Sequence, residues 1–396
     1  MDSPMIDAAA SLYASPNPLA AHYSRFRVAE RLLLTGHSHQ AWPDCAERGQ
    51  REAWNDAADY VDGKWERAFE RAERVRRGFA RLLDCDPGGI SLGTSTHELV
   101  VRWLSALPLR ERPRLVTSQS EFHSLRRLLA RLEEVGIEIV RVAARPAASI
   151  GERLAREVDD RVAAVLVSSV FYDSAELAGE LAQVARRCER HGAELLLDVY
   201  RQLNVVPLSL RAQGLESAYV TGGGYKYCQL GEGNCFLRSP PDSALRPVIT
   251  GWFAEFGALP SSDTTVSHGP LSARFAGATY DPTSHYRACE VFDFFERMGL
   301  YPALLREVSQ HQLGVLRAEI EALDLPLGLP AAPLQQLGGF LALTTPRAAD
   351  LQRALALRGM HTDARGDVLR LGPAPYLCDD QLRQAVALLA DSVRAL

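Results

Sequence analysis

Of the 44 Lys and Arg side chains in this 396-residue sequence only two are lysine, and one of them, Lys226, sits in the segment TGGGYKY (221–227). Arginine meets the need for positive charge almost everywhere else, and a permanently charged guanidinium forms no imine. A primary amine kept after three glycines, at the end of an apolar strand, is therefore a candidate for carbonyl chemistry. Asp198 closes the apolar run ELLLD, 28 residues earlier. An amine to hold an aldehyde and an acid to keep a ring nitrogen protonated are what a pyridine-aldehyde cofactor requires. The plain alternative for Lys226 is a solvated lysine after a Gly-rich turn. Lys64, in the charged stretch DGKWERAFERAERVRRGF, reads as that ordinary kind, exposed on an amphipathic helix.

The elements that must position these residues alternate from about residue 90. Strands are expected at 113–118, 137–142, 161–170, 193–198 and 217–223, with helices over 124–136, 152–160 and 180–192 between them. The run RVAAVLVSSV is apolar throughout, as in a strand buried on both faces. The helix over 180–192 ends in His-Gly, a favoured C-terminal signal. This alternation predicts an α/β fold with a mainly parallel sheet covered by helices. Ligands of such sheets bind beyond the carboxyl ends of the strands. Asp198 and Lys226 fall there, as do Phe122 and Tyr172. Residues 230–285 are rich in Gly, Pro and Ser and read as the irregular rim of the site. Three units are expected: a large domain over 41–285, a small α+β domain over 286–396, and an N-terminal segment, 1–40, packing on the small domain.

Length favours two subdomains, and 47% hydrophobic with 23% charged residues fits a globular chain. A net charge of −5, with acids interleaved among the arginines, disfavours nucleic acid or an anionic membrane as partner. No apolar run reaches the ~20 residues of a membrane helix. The N-terminus has an acid at position 2 and lacks the pattern of a signal peptide. Seven cysteines without a CxxC pair suggest reduced thiols, hence a cytoplasmic location, with Cys188, Cys228, Cys235 and Cys289 as small core residues. His37-Ser38-His39 has no third ligand nearby, so no metal is expected. Gly-x-Gly-x-x-Gly after a strand, Walker and Gly-x-Ser-x-Gly motifs are all missing.

The run LLLDVYRQLNVVPLSL…SAYVTGGGYKYCQLGEGNCFL resembles the core of kynureninase, in the class V aminotransferase group of fold-type I enzymes that use pyridoxal 5'-phosphate. The family pattern is Asp-x-x-His, a strand, and Tyr-Lys-Tyr before a Gly-rich turn. The resemblance implies that Lys226 forms the Schiff base and moves substrate protons, that Asp198 pairs with the pyridine nitrogen, and that Tyr225 contacts phosphate and donates a proton. It implies a phosphate site at Ser95 and Thr96, where GTSTHELVVRWL opens a helix, and a ring, Phe122 of SEFHS, stacked on the cofactor face with Ser124 beside it. Arg201, Trp252 of TGWFAEFG and Thr279 complete the implied cofactor shell. Arg370, in VLRLGPAPY, matches Arg-x-x-Pro-x-Pro and would hold a substrate carboxylate, a task suited to a bidentate guanidinium. Asp281 and His37 fall where the family touches substrate. FAGATYDPTSHYR is similar to a segment that crosses between subunits, implying a homodimer with shared sites.

The departures matter equally. The family's His after the aspartate is Arg201, its Gly-Asn-Ser-Leu-Gly is Gly36-His37-Ser38-His39-Gln40, and its Asn-Pro is Asp281-Pro282. The first expectation is hydrolytic cleavage of kynurenine or 3-hydroxykynurenine, as in tryptophan catabolism, to alanine and an anthranilate. The alternative keeps the cofactor and changes the reaction to transamination or β-elimination on another amino acid. Cysteine desulfuration is disfavoured, because no Cys precedes Arg370 in its loop and Cys378 follows by eight residues. A cofactor-binding scaffold without chemistry is the non-enzymatic reading, and the complete Lys–Asp–Tyr set argues against it.

Overall fold

The computed structural model describes residues 8–258 and 266–396; the first seven residues of the N-terminal segment and 259–265 of the rim lie outside it. Two helices, α1 (Cys45–Tyr60) and α2 (Lys64–Leu83), precede a seven-stranded sheet. Its strands are β1 (Ile90–Gly93), β2 (Arg114–Ser118), β3 (Glu138–Val142), β4 (Val162–Ser168), β5 (Glu194–Asp198), β6 (Tyr219–Gly223) and β7 (Cys235–Arg238). The spatial order is β1-β7-β6-β5-β4-β2-β3. Only β7 runs against the others, antiparallel to both β1 and β6. The connecting helices are α3 (Thr96–Ser105), α4 (His123–Glu133), α5 (Ile150–Arg156) and α6 (Leu181–His191).

Both faces of the sheet are buried, which is why its central strands read as unbroken apolar runs. Along β4, Val165 and Val167 enter one core while Ala164 and Leu166 enter the other. The second core also holds Leu99 and Trp103 of α3, Leu129 of α4, Leu196 and Tyr219. Helix α6 ends where Gly192 turns left-handed at φ 59° and its N–H caps the last carbonyls.

The mainly parallel expectation holds. One part of the sequence reading fails: residues 230–285 are not uniformly irregular. Four buried residues, Cys235-Phe236-Leu237-Arg238, insert as β7 between β1 and β6. The strand is too short, and too closely flanked by turn residues, to show a period.

Beyond the rim, α7 (Thr283–Arg297) packs on α1 and α2. Helix α8 (Pro302–Ala322) leads to a three-stranded antiparallel sheet of β8 (Leu341–Thr344), β9 (Asp363–Arg365) and β10 (Val368–Leu371), in the order β9-β10-β8. Helix α9 (Ala348–Leu357) packs on it, and α10 (Asp379–Ala395) packs on α8 and α9. Near the N-terminus, Leu32–Leu33 pairs in parallel with Met360–His361. The same segment reaches the loop after Lys226: the Tyr23 hydroxyl donates to Gln229 at 2.5 Å, and Gln229 donates to the Gln40 side chain at 2.7 Å. Among the described residues, no helix is long and apolar enough to cross a membrane.

Candidate active site

Sheet register places the reactive residues. Ser168, at the end of β4, pairs with Asp198 at the end of β5, and Asp198 pairs with Thr221 of β6. A cleft of about 460 Å³, open solvent included, lies beyond this row. Its walls include Thr96, Phe122, Ser124, Asp198 and Thr221. Four residues singled out from the sequence thus meet at one strand-end cleft. Ser95 caps α3, accepting from the Glu98 N–H at 3.2 Å, so the positive end of that helix faces the same region. Asp198 is steadied by its own chain, since Oδ1 accepts the Tyr200 N–H at 2.8 Å.

Lys226 is buried in an aromatic cage. Its Nζ stands 4.1 Å from the Tyr200 ring centre, 5.4 Å from Tyr225 and 6.0 Å from Phe122. The glycines before it allow the approach: a Cβ at Gly223 would collide with the Tyr200 ring and the Cys235 sulfur. Burial, and then the charge of Arg201, push the Lys226 ammonium well below its ordinary pKa, with Asp198 acting against the shift. Burial at this position thus favours the amine over the ammonium. Tyr225 stacks on His39 at 4.7 Å, and burial raises its phenol above the usual value.

On the three-stranded antiparallel sheet, Arg370 is 1% exposed. Its Nη1 donates to the Tyr172 carbonyl at 2.9 Å, and its Nη2 pairs with Asp363. The register explains the pair, because Asp363 of β9 stands directly opposite Arg370 of β10. Burial pushes the Asp363 carboxyl up, but His37, Arg370 and Arg365 together hold it at about 2. His37 is fully buried against Phe340, with Nε2 3.6 Å from Asp363, too far for a good hydrogen bond. Burial holds its imidazole neutral, with a pKa of about 3. Arg201 is 6% exposed and lies over Phe122, with Cζ 4.9 Å from the ring centre.

Three expected residues do not join this group within the chain. Trp252 is exposed on the rim, and among the described residues its aromatic partners are Phe253 and Phe256. Thr279 is exposed as well. Asp281 is exposed and accepts the Thr283 N–H at 2.9 Å at the start of α7, the local job of a turn residue. His37 and His39 also diverge, one toward Asp363 and the other toward Tyr225.

Other site residues carried no sequence signal. Glu121 is 2% exposed and accepts from the Ser118 and Ser168 hydroxyls, both at 2.6 Å, and from the Ser168 N–H at 3.1 Å. It thereby ties the loop bearing Phe122 to the strand end beside Asp198. Burial lifts its carboxyl to about 7. A carboxylate in a polar loop, SQSEFHS, reads as solvated. Asp363, in HTDARGD, reads as a turn residue. Tyr200, two places after Asp198, reads as core.

This architecture, with its strand-end lysine and aspartate, is the fold of the pyridoxal-phosphate enzymes of fold type I. No protein-family model matches the chain. An uncharacterized aminotransferase of Bacillus subtilis (strain 168), YcbU, is 21% identical over 375 residues, covering 91% of this chain and 96% of the relative. Among solved structures, a C-DES mutant with glycine covalently linked to its PLP cofactor superposes with a TM-score of 0.82 at 15% identity, over 94% of this chain and 99% of the other. C-DES is elsewhere described as a cystine C–S lyase. An apo cysteine desulfurase from Thermococcus onnurineus NA1 gives 0.80 at 13% identity, over 96% and 98%. At these identities the structural likeness establishes the fold.

Proposed function

We propose that the chain is a pyridoxal-phosphate-dependent enzyme acting on an amino acid, of aminotransferase or β-lyase type. One observation carries the reading: the amine of Lys226 is buried, driven toward its neutral form and enclosed by aromatic rings, at the strand-end site that also holds Asp198. The residues fit the cofactor. Asp198 would hold the ring nitrogen, Phe122 and the aromatic cage would take the ring, and Ser95, Thr96 and the end of α3 would take the phosphate. The cleft that Thr96, Phe122, Ser124 and Asp198 line together supports this fit.

Pyridoxal phosphate, when bound, supplies an aldehyde and an electron-withdrawing ring that makes the substrate's α-carbon acidic. The protein supplies the rest. Lys226, its ammonium disfavoured by burial, would take the proton from the α-carbon and return it to another carbon. Asp198 keeps positive charge on the ring nitrogen. Arg370 holds the substrate carboxylate and so fixes which bond at the α-carbon lies open to Lys226. Trp252, Thr279 and Asp281 sit on the exposed rim, and in a homodimer they would serve the neighbouring subunit's site.

Hydrolysis of kynurenine is the less supported reaction. Arg201 replaces the family's neutral imidazole, and the relative over the full length bears the name of an aminotransferase. Desulfuration is disfavoured further because Cys378 is buried as the cap of α10. The test is to mix the loaded protein with single amino acids and identify products. Conversion of the cofactor to its amine form marks transamination, and pyruvate with ammonia marks β-elimination. Anthranilate from kynurenine would overturn this choice in favour of hydrolysis.

A further inference from the structure

Two guanidiniums flank Tyr172, and they differ in one respect. Arg370 donates to the Tyr172 carbonyl at 2.9 Å and pairs with Asp363, so a carboxylate of its own chain already balances its charge. Arg201, with Cζ 5.9 Å from the Tyr172 ring centre, pairs with no carboxylate among the described residues. It is 94% removed from solvent, and its Nε has no hydrogen-bond partner. A buried charge without a counterion costs several kcal/mol. The Phe122 and Tyr172 rings return only part of that. Lys226 lies over the same Phe122 ring as Arg201, so any molecule joined at the lysine comes within the neighbourhood of Arg201. The nearby acids are committed elsewhere. Asp363 holds Arg370 and Arg365, and Asp198 is tied to the Tyr200 N–H.

We infer that Arg201 is the receptor for a second anionic group on the substrate, so that the enzyme acts on an amino acid whose side chain carries a carboxylate or a comparable anion. The pairing at Arg370 leaves that guanidinium shared and therefore the weaker of the two receptors. Arg201 offers a whole planar fork, the geometry that recognises carboxylate through two parallel bonds. A neutral or cationic side chain would leave the charge uncompensated. This inference rests on the proposed function for the place of the substrate, but the anion site itself can be measured without turnover.

The experiment is calorimetric titration of the purified protein, with and without pyridoxal phosphate, using succinate, maleate and acetate, none of which carries an amine. Succinate or maleate should bind about tenfold or more tightly than acetate, and Arg201→Gln should bring the ratio to within about twofold. Without ligand, Arg201→Gln should melt at the same temperature as the parent or higher, because it removes an unpaired buried charge. A parent protein indifferent to the second carboxylate overturns the inference, as does a variant that keeps the preference. The cofactor's own phenolic oxygen is the other anion Arg201 could face. A loss of about tenfold in cofactor affinity in Arg201→Gln, with dicarboxylate preference intact, would assign the residue there and overturn the inference. Dicarboxylate preference in a protein that takes up no cofactor would support the anion site while sinking the proposed function. Cofactor uptake without that preference would do the reverse.

Discussion

Asp363 and Arg370 face each other across two antiparallel strands, so the guanidinium expected to hold a substrate carboxylate already holds one from its own chain. The pair fixes the orientation of Arg370 and leaves Nε buried without a partner. It also joins the small sheet to the loop after β4, because the same guanidinium donates to the Tyr172 carbonyl.

Removing one member of a buried ion pair strands the other. Asp363→Asn should lower unfolding free energy by about 3 kcal/mol, measured by urea denaturation at pH 7. A change below about 0.5 kcal/mol would show that solvent already screens the pair.

Asp198 is predicted to bind the cofactor through a charge-assisted hydrogen bond. Asp198→Ala should weaken pyridoxal-phosphate binding by about 10- to 100-fold, read from fluorescence titration. The fold should survive, because Asp198 lies at a strand end and, among the described residues, its carboxylate accepts only the Tyr200 N–H. Unchanged affinity would remove Asp198 from the site.

Glu121 predicts a pH effect on stability. Burial holds its carboxyl at about 7 in the folded chain, against an ordinary value of 4.5. The folded state therefore binds more protons than the unfolded state between these values. Its favourable contribution is complete below the lower value and is lost as pH rises through the upper one. Glu121→Gln resembles the protonated form. Its stability relative to the parent should rise by about 2–3 kcal/mol between pH 5 and pH 8.5. Parallel pH profiles for the two proteins would contradict the assignment.

The parallel strands were legible because burial on both faces leaves unbroken apolar runs, as in Val162–Ser168, and because Gly192 marks a helix end. Lys226 and Asp198 were legible through their chemistry, each at the end of such a run. The Asp363–Arg370 pair was not, since it depends on the register of two short strands joined by a turn. Glu121 was hidden because loop carboxylates are usually solvated, and its burial arises only when Ser118 and Ser168 converge from separate strands. The short strand Cys235–Arg238 lay among turn residues and showed no period. Trp252 matches a family motif, Thr279 lies in the implied intersubunit segment and Asp281 stands where the family has Asn, yet all three are exposed in this chain.

With two lysines in the chain, the central claim carries its own control. The protein is incubated with pyridoxal phosphate at neutral pH, reduced with borohydride, digested and examined by mass spectrometry. The account predicts a cofactor-sized adduct on the buried Lys226 and little or none on Lys64. A label on Lys64 with position 226 unmodified, or no adduct at all, would contradict it.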